Sequence, residues 1–338
     1  MKRSAAKRPT SILILRALQL GDLLCAVPAL RALRGAYPDA RMTLVGLPWA
    51  RSFVERFSQY LDGYIEFPGW PGLPETEPQI EIIPAFLQEM QAGAFDLAVQ
   101  MHGGGNITNP ILALSGAKQM SGYYLPGQYQ PTEDTFWPYP EGEHEIRIWL
   151  RLVEKLGAEP LGEHLEFPVT VAEREQFGAF RAANGLEDTP YVILHTGARD
   201  EARRWPAEKF AVVGDALAER GLRVVLTGSE SERPLTEAVE QRMAAPALNA
   251  AGQTDLGTLA LLIANARVLV SNDTGVSHIA AAFATPSVIL FSTSDPQRWR
   301  PLNQKIHRGL MDFQQITPQD VLSEALDLLR DTKAGAYA

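Results

Sequence analysis

Several short runs of consecutive apolar residues in this chain admit no polar residue: Ile12-Leu13-Ile14-Leu15, Val192-Ile193-Leu194, Val224-Val225-Leu226, Val268-Leu269-Val270 and Val288-Ile289-Leu290-Phe291. A strand with one wet face alternates apolar and polar residues. A strand apolar at every position is covered on both faces, which is the condition of a parallel sheet lying between helices. Met42-Thr43-Leu44-Val45, Tyr64-Ile65-Glu66-Phe67 and Asp96-Leu97-Ala98-Val99-Gln100 read as further strands. The stretches between are helical. After Gly21-Asp22, Leu23, Ala26, Val27, Leu30 and Leu33 recur at helical spacing, and a helix over Glu143 to Leu156 carries Ile146, Trp149, Leu150, Val153 and Leu156 on one face until Gly157 ends it. Pro206 opens a helix that Gly221 closes, and Asp255 caps another. The fold class is α/β.

The pattern runs through once before residue 170 and again after 190. With 338 residues, the chain has room for two domains of ordinary size. The reading assigns residues 1–170 to an N-terminal Rossmann-like domain, 171–189 to a linker, 190–320 to a second Rossmann-like domain and 321–338 to a C-terminal helix and tail. Both domains are expected to be doubly wound parallel sheets facing each other across a cleft. Two segments break the pattern: Pro68 to Pro84, with five prolines, and Tyr123 to Pro140, with four prolines and six aromatic residues. Long irregular loops in such folds either carry function or pack on their own side chains.

Charge excludes some partners. The net charge is −9, yet Lys2, Arg3, Lys7 and Arg8 place +4 in the first ten residues, leaving −13 for the rest. An acidic body does not suit nucleic acid, which needs a basic face; the basic tip is either a solvated tail or a contact for an anionic membrane surface. The single cysteine, Cys25, rules out an intramolecular disulfide and a cysteine-built zinc site, and the six histidines show no ligand spacing. No metal is expected. Arg16, Gln19 and Asp22 interrupt the apolar stretch from Ile12 to Leu30, so it makes neither a secretion signal nor a membrane span, and a cytoplasmic protein is expected.

Candidate chemistry gathers at strand ends. Ser271-Asn272-Asp273-Thr274-Gly275-Val276-Ser277-His278 lies between a buried strand and a helix start, where backbone amides and a hydroxyl at the positive end of a helix suit a diphosphate. An ordinary capped helix with a core histidine would look the same. His195-Thr196-Gly197-Ala198-Arg199, followed by Arg203-Arg204-Trp205-Pro206, offers arginines for an anion or for nearby carboxylates. Thr227-Gly228-Ser229-Glu230-Ser231-Glu232 brings carboxylates to the same edge, fit for sugar hydroxyls or for a helix N-terminus. In the first domain, Arg16 to Asp22 joins the first strand to the first helix, and Asp22 is a helix cap or a reactive carboxylate. His102-Gly103-Gly104-Gly105-Asn106 is a second glycine-rich turn on that side. Neither a dinucleotide fingerprint nor a P-loop is present.

Arg16-x4-Gly21-Asp22-Leu23-Leu24 with Pro28-Ala29-Leu30, then Trp205-Pro206, the Gly228 strand end and Asp273-Thr274-Gly275-x-Ser277-His278, together resemble glycosyltransferase family 9, the heptosyltransferase-like enzymes. The resemblance runs from about Ser11 to Arg330. It implies a GT-B fold, an ADP-sugar donor on the C-terminal domain, an acceptor on the N-terminal side, and inverting transfer without a metal ion or cofactor, typically of heptose to the lipopolysaccharide core. Asp22 then matches the general base; Thr196, Arg203, Arg204, Glu232, Asp273, Thr274, Gly275 and His278 fall on the donor side, and Arg16, Gly21, His102, Gly103 and Asn106 on the acceptor side. Where better-known heptosyltransferases have a lysine before Trp-Pro, this chain has Arg203-Arg204, and the donor-contacting glutamate falls at Glu230 or Glu232. The glycine-rich turn and the Pro68 to Pro84 loop resemble a less characterised branch. The expected partners are a nucleotide-sugar and a glycan or glycolipid acceptor, met in the cytoplasm or at the cytoplasmic face of the inner membrane. Two other readings fit the same residues: a nucleotide-sugar epimerase or hydrolase, and a non-catalytic nucleotide-sugar-binding protein.

Overall fold

A computed structural model describes residues 8–331; Lys2, Arg3 and Lys7 of the basic tip, and the last residues of the expected tail, lie outside them. The chain divides into two compact units, Met1–Glu163 and His164–Ala338. In the first, the elements are β1 (Ser11–Leu15), α1 (Leu20–Ala36), β2 (Arg41–Gly46), α2 (Ala50–Arg56), β3 (Gly63–Glu66), α3 (Ile83–Ala92), β4 (Leu97–Gln100), α4 (Thr108–Ala113), β5 (Gln119–Tyr124), β6 (Phe136–Pro138) and α5 (Glu145–Lys155). The second has α6 (Val171–Ala183), β7 (Tyr191–His195), α7 (Ala207–Ala218), β8 (Arg223–Thr227), α8 (Arg233–Glu240), β9 (Ala247–Asn249), α9 (Leu256–Asn265), β10 (Leu269–Asn272), α10 (Gly275–Ala282), β11 (Ser287–Phe291), α11 (Pro296–Trp299), β12 (His307–Met311) and α12 (Pro318–Asp331).

Each unit holds one six-stranded sheet, ordered β3-β2-β1-β4-β5-β6 in the first and β12-β11-β10-β7-β8-β9 in the second. All described pairings are parallel. Counted within each unit, both orders are 3-2-1-4-5-6, the doubly wound order that reverses direction at its centre. The apolar runs occupy those central strands: Ile12, Leu13, Ile14 and Leu15 are at most 1% exposed, each worth roughly 1.5–3 kcal/mol relative to exposure. The second core gathers Val192, Leu194, Val224, Leu226, Val270, Val288 and Leu290 with Trp205 and Phe210. The α/β expectation of two Rossmann-like sheets holds.

Several boundaries differ. The stretch 171–189, expected as a linker, holds α6, entered through a Thr170–Glu173 capping box and closed by Gly185 at φ 64°; Phe177 is its buried residue. Helix α12 is no appendage, because Val321, Ala325 and Leu328 belong to the second core. Strands β5 and β6 run through the segment expected to be irregular, with Tyr123 and Phe136 fully covered. Their residues gave no apolar run because the outer strands of a sheet have fewer covered positions, and β6 and β9 are three residues long. Among the described residues no helix is long and apolar enough to cross a membrane.

Candidate active site

In a doubly wound sheet, the loops leaving the carboxyl ends of the two central strands diverge and leave a crevice for a ligand. In the first unit those loops follow β1 and β4. They are Arg16 to Asp22 and Met101 to Asn106, the two turns marked in the sequence. Arg16 does not face solvent. It is 1% exposed, donates from Nε and Nη2 to the Asp22 carbonyl at 2.9 and 2.7 Å and from Nη1 to the Met101 carbonyl, and so ties both loops together. Its charge meets Glu145, whose Oε1 lies 2.9 Å from Nη2 and also accepts from Trp149 Nε1 at 2.7 Å. The guanidinium lies over the Trp149 ring at 4.8 Å.

Asp22 stands above this pair. It is the third residue of α1, not the N-cap; Gln19 holds that place, and the Asp22 carboxylate takes the Gln19 backbone amide. Gly21, expected on the acceptor side, lies inside the first helical turn. Burial pushes the Asp22 carboxyl above the usual carboxylate range. Arg16 pulls it down and Glu145 pushes it up again, with smaller downward pulls from the Gln19 amide and His102. Burial outweighs the pull of Arg16, which Glu145 partly offsets, so the net direction is upward, toward the range in which a carboxylate works as a base.

The β4 turn is held from below by buried Gln100, which donates to the His102 carbonyl at 3.1 Å and to Thr108 Oγ1 at 2.7 Å. Gly103 and Gly105 have φ of 64° and 80°, which favour glycine. Asn106 is exposed. His102 is 7% exposed, with Nε2 3.2 Å from Glu75 Oε1.

In the second unit the central loops follow β7 and β10. Asn272 staples them, donating to the Thr196 carbonyl at 2.9 Å and accepting from the Trp205 amide at 3.0 Å. Asp273 is 5% exposed, and its Oδ2 takes Arg203 Nη2 and Ser294 Oγ, both at 2.6 Å. Arg204 turns back on its own loop, donating to the Ala198 carbonyl at 2.9 Å, so it braces the loop. Thr274 is the N-cap of α10 and makes no side-chain cap bond; its Oγ1, Thr196 Oγ1 and Arg203 Nε are buried without a hydrogen-bond partner. Buried polar atoms left unpaired at a strand-to-helix turn are what a ligand would satisfy. Gly275 opens α10, and His278, 3% exposed, packs edge-on to Trp299.

Glu232 and Glu230 are separated by the structure. Glu232 closes a capping box with Ser229 at 2.8 Å, and its Oε1 would lie 2.1 Å from a Cβ built on Gly197, so it leans over the β7 loop. Glu230 is exposed and paired with Arg233 at 3.0 Å. His195 shares a bond of 3.0 Å with Thr227, and burial pushes its imidazole below the usual histidine range against the pull of Glu232. Among the described residues no three His, Cys, Asp or Glu side chains gather as metal ligands.

A sequence profile of glycosyltransferase family 9 (heptosyltransferase) matches residues 84–323, most of the chain. The chain belongs to glycosyltransferase family 9. This glycosyltransferase is 25% identical to lipopolysaccharide heptosyltransferase 2 of Escherichia coli strain K12, over 96% of its own length and 99% of the relative's. Among solved structures it resembles a family 9 glycosyl transferase from Veillonella parvula, with a TM-score of 0.81, 23% identity, and 95% and 97% of the two chains covered. The Escherichia coli ADP-heptose lps heptosyltransferase II follows at 0.76 and 21%, over 96% and 99%. The two units are thus those of a GT-B glycosyltransferase.

Sequence reasoning missed Glu145, Trp149, Glu75 and Ser294 as parts of these sites, and it marked Asn272 only as a member of the β10 turn, not as the staple between loops. Glu145 left a trace: it lies four residues before Trp149 on the apolar side of its helix, where a charge needs a buried partner. Glu75 left none.

Proposed function

We propose that this glycosyltransferase moves heptose from ADP-heptose to a lipopolysaccharide-core acceptor, with inversion at the anomeric carbon and without a metal ion or cofactor. One observation carries the donor half: the unpaired Thr196 and Thr274 hydroxyls and Arg203 Nε, buried at the centre of the second sheet beside the uncapped start of α10. A diphosphate would satisfy all three and gain the positive end of the helix. The names of the relatives, ADP-heptose lps heptosyltransferase II among them, support heptose as the sugar and lipopolysaccharide as the acceptor.

In this reading the acceptor hydroxyl attacks the anomeric carbon as its proton passes to Asp22. The bond from that carbon to the diphosphate oxygen breaks, and ADP leaves with the electron pair. General base catalysis of this kind is worth about 10²–10⁴ in rate. Arg203, the α10 amides and Thr274 stabilise the charge that develops on the leaving diphosphate. Glu232 is placed to take sugar hydroxyls, and His278 supports the α10 start. Such an acceptor would be met at the cytoplasmic face of the inner membrane.

A thermal-shift series with ADP-heptose, a UDP-sugar and a GDP-sugar, followed by transfer to heptose-free lipopolysaccharide with and without EDTA, tests the proposal. At 100 times its dissociation constant the true donor should stabilise by about 2.7 kcal/mol, and EDTA should leave transfer intact. Stabilisation by a UDP-sugar alone would overturn the donor assignment. Donor turnover that ignores acceptor would favour an epimerase or hydrolase, and loss of transfer on chelation would overturn the metal-free step.

A further inference from the structure

Residues Pro68 to Gln79 form a closed excursion beyond the carboxyl end of β3. Its neck is fastened by the Gln79 amide donating to the Pro68 carbonyl at 2.9 Å, and Gly69 turns it at φ 79°, with Glu77 and Pro78 so close that a Cβ there would be crowded. Trp70 and Leu73 pack on the first core, and Gly72, at φ 89°, lies against Ile107 of the turn that follows β4. These anchors deliver one carboxylate, Glu75, to one imidazole, His102, at 3.2 Å, with side-chain exposures of 14% and 6%. The other ring nitrogen, Nδ1, is buried and has no hydrogen-bond partner.

A loop outside the sheet needs no buried ion pair to stay closed, since its apolar anchors and main-chain neck already do that. A carboxylate on Nε2 fixes the ring and its tautomer, placing the hydrogen on Nε2 and leaving Nδ1 for another partner. The turn that carries His102 is tied through Arg16 to Asp22, since Arg16 bonds both the Met101 and Asp22 carbonyls. We infer that Glu75 is a positioning residue acting through His102, and that His102 Nδ1 holds a hydroxyl of the sugar acceptor beside Asp22. A hydroxyl suits the site whether the imidazole is neutral, when Nδ1 accepts, or charged, when it donates. The inference rests on the proposed transfer and assigns the Pro68 to Pro84 segment a part in acceptor choice.

The test is a double-mutant cycle on transfer from ADP-heptose to de-O-acylated, heptose-free lipopolysaccharide, using Glu75→Ala, His102→Ala and both together, with Glu75→Gln as the milder variant should alanine unfold the loop. Each single alanine variant should raise the acceptor KM about tenfold, with the donor KM and the thermal shift by ADP-heptose unchanged. The double variant should be no worse than His102→Ala alone, because Glu75 works through the ring. Glu75→Gln, which keeps an acceptor oxygen without the charge, should fall between wild type and Glu75→Ala. Additive losses, an equal rise in donor KM, or an acceptor KM within twofold of wild type would overturn the inference. A wild-type protein that binds ADP-heptose but transfers nothing would instead defeat the proposed function, and the inference would fall with it.

Discussion

The buried pair of Arg16 and Glu145 offers the sharpest test of how the first site is built. Both side chains are 1% exposed, and Glu145 Oε1 takes Arg16 Nη2 at 2.9 Å and Trp149 Nε1 at 2.7 Å. Glu145→Ala leaves a buried guanidinium without its counter-charge and a buried indole N–H without an acceptor. Breaking a buried pair from one side costs about 3–5 kcal/mol, a large part of the ~5–15 kcal/mol that holds a typical domain. Urea unfolding of the first unit should show that loss. Glu145→Gln keeps the acceptor oxygen, so it should cost less, yet it removes the negative charge that pushes the Asp22 carboxyl up. The acid limb of the pH–rate profile should therefore move to lower pH in Glu145→Gln, as Asp22 becomes the weaker base. Arg16→Met combined with Glu145→Leu should recover much of the stability but not the rate, because Arg16 also fastens the Asp22 and Met101 carbonyls. A Glu145→Ala protein within 1 kcal/mol of wild type, or a Glu145→Gln profile whose acid limb stays put or moves up, would refute this account.

Asp22→Asn should lower turnover about 10²-fold or more while leaving donor affinity alone; since a carboxyl raised in the fold contributes its stability below the ordinary range and loses it as pH rises, the variant should be no less stable than wild type at pH 7 by thermal melting. Thr274→Val removes a buried hydroxyl that has no partner, so melting should hold or rise while calorimetry shows ADP binding weakened about tenfold; a destabilised variant with normal binding would make the hydroxyl structural. His307, bonded to Ser287 at 2.8 Å, is lowered by burial, with help from His278, to about 4. Its stabilisation is complete above pH 6.5 and is lost as pH falls toward 4, by roughly 3 kcal/mol; His307→Gln should flatten stability between those values in denaturant titrations.

The central strands were legible because burial on both faces forces an unbroken apolar run, as in Ile12 to Leu15 and Val288 to Phe291. The strand-end turns were legible for the same reason: polar clusters such as Ser271 to Thr274 stand out directly after such a run. Of the edge strands β3 was read, as Tyr64 to Phe67, but β12 and β9 were not, because β12 is only partly covered and β9 is three residues long. Side-chain direction was the larger gap. Arg203 and Arg204 read as arginines for an anion and Arg16 as an acceptor-side residue, yet Arg16 pairs with Glu145, 129 residues away, and Arg204 bonds its own loop. Arg203 keeps a buried, unpaired edge, at Nε. Spacing along a chain cannot report a partner that only the tertiary fold supplies, and the same holds for Glu75 and His102.

Both units place a helix N-terminus at the centre of a 3-2-1-4-5-6 sheet, and the first turn of each helix decides what it can hold. Helix α1 carries its own anion: Asp22 sits in its first turn and takes the Gln19 amide. A phosphate brought there would meet a carboxylate, so that end is closed to a diphosphate and left with a group able to take a proton. Helix α10 has no acidic residue in its first turn and no side-chain cap on its amides. Asp273, the carboxylate just before it in the chain, is already bonded by Arg203 and Ser294 at 2.6 Å, which removes the repulsion that an unpaired aspartate would exert. The positive end of α10 therefore stays available to an anion. One topology thus yields a base in one unit and a diphosphate site in the other through the placement of a single carboxylate. Exchanging these roles, by Asp22→Ser and Gly275→Asp, should abolish transfer from both sides while leaving both sheets intact by circular dichroism. Donor binding that survived Gly275→Asp would show that α10 does not hold the diphosphate.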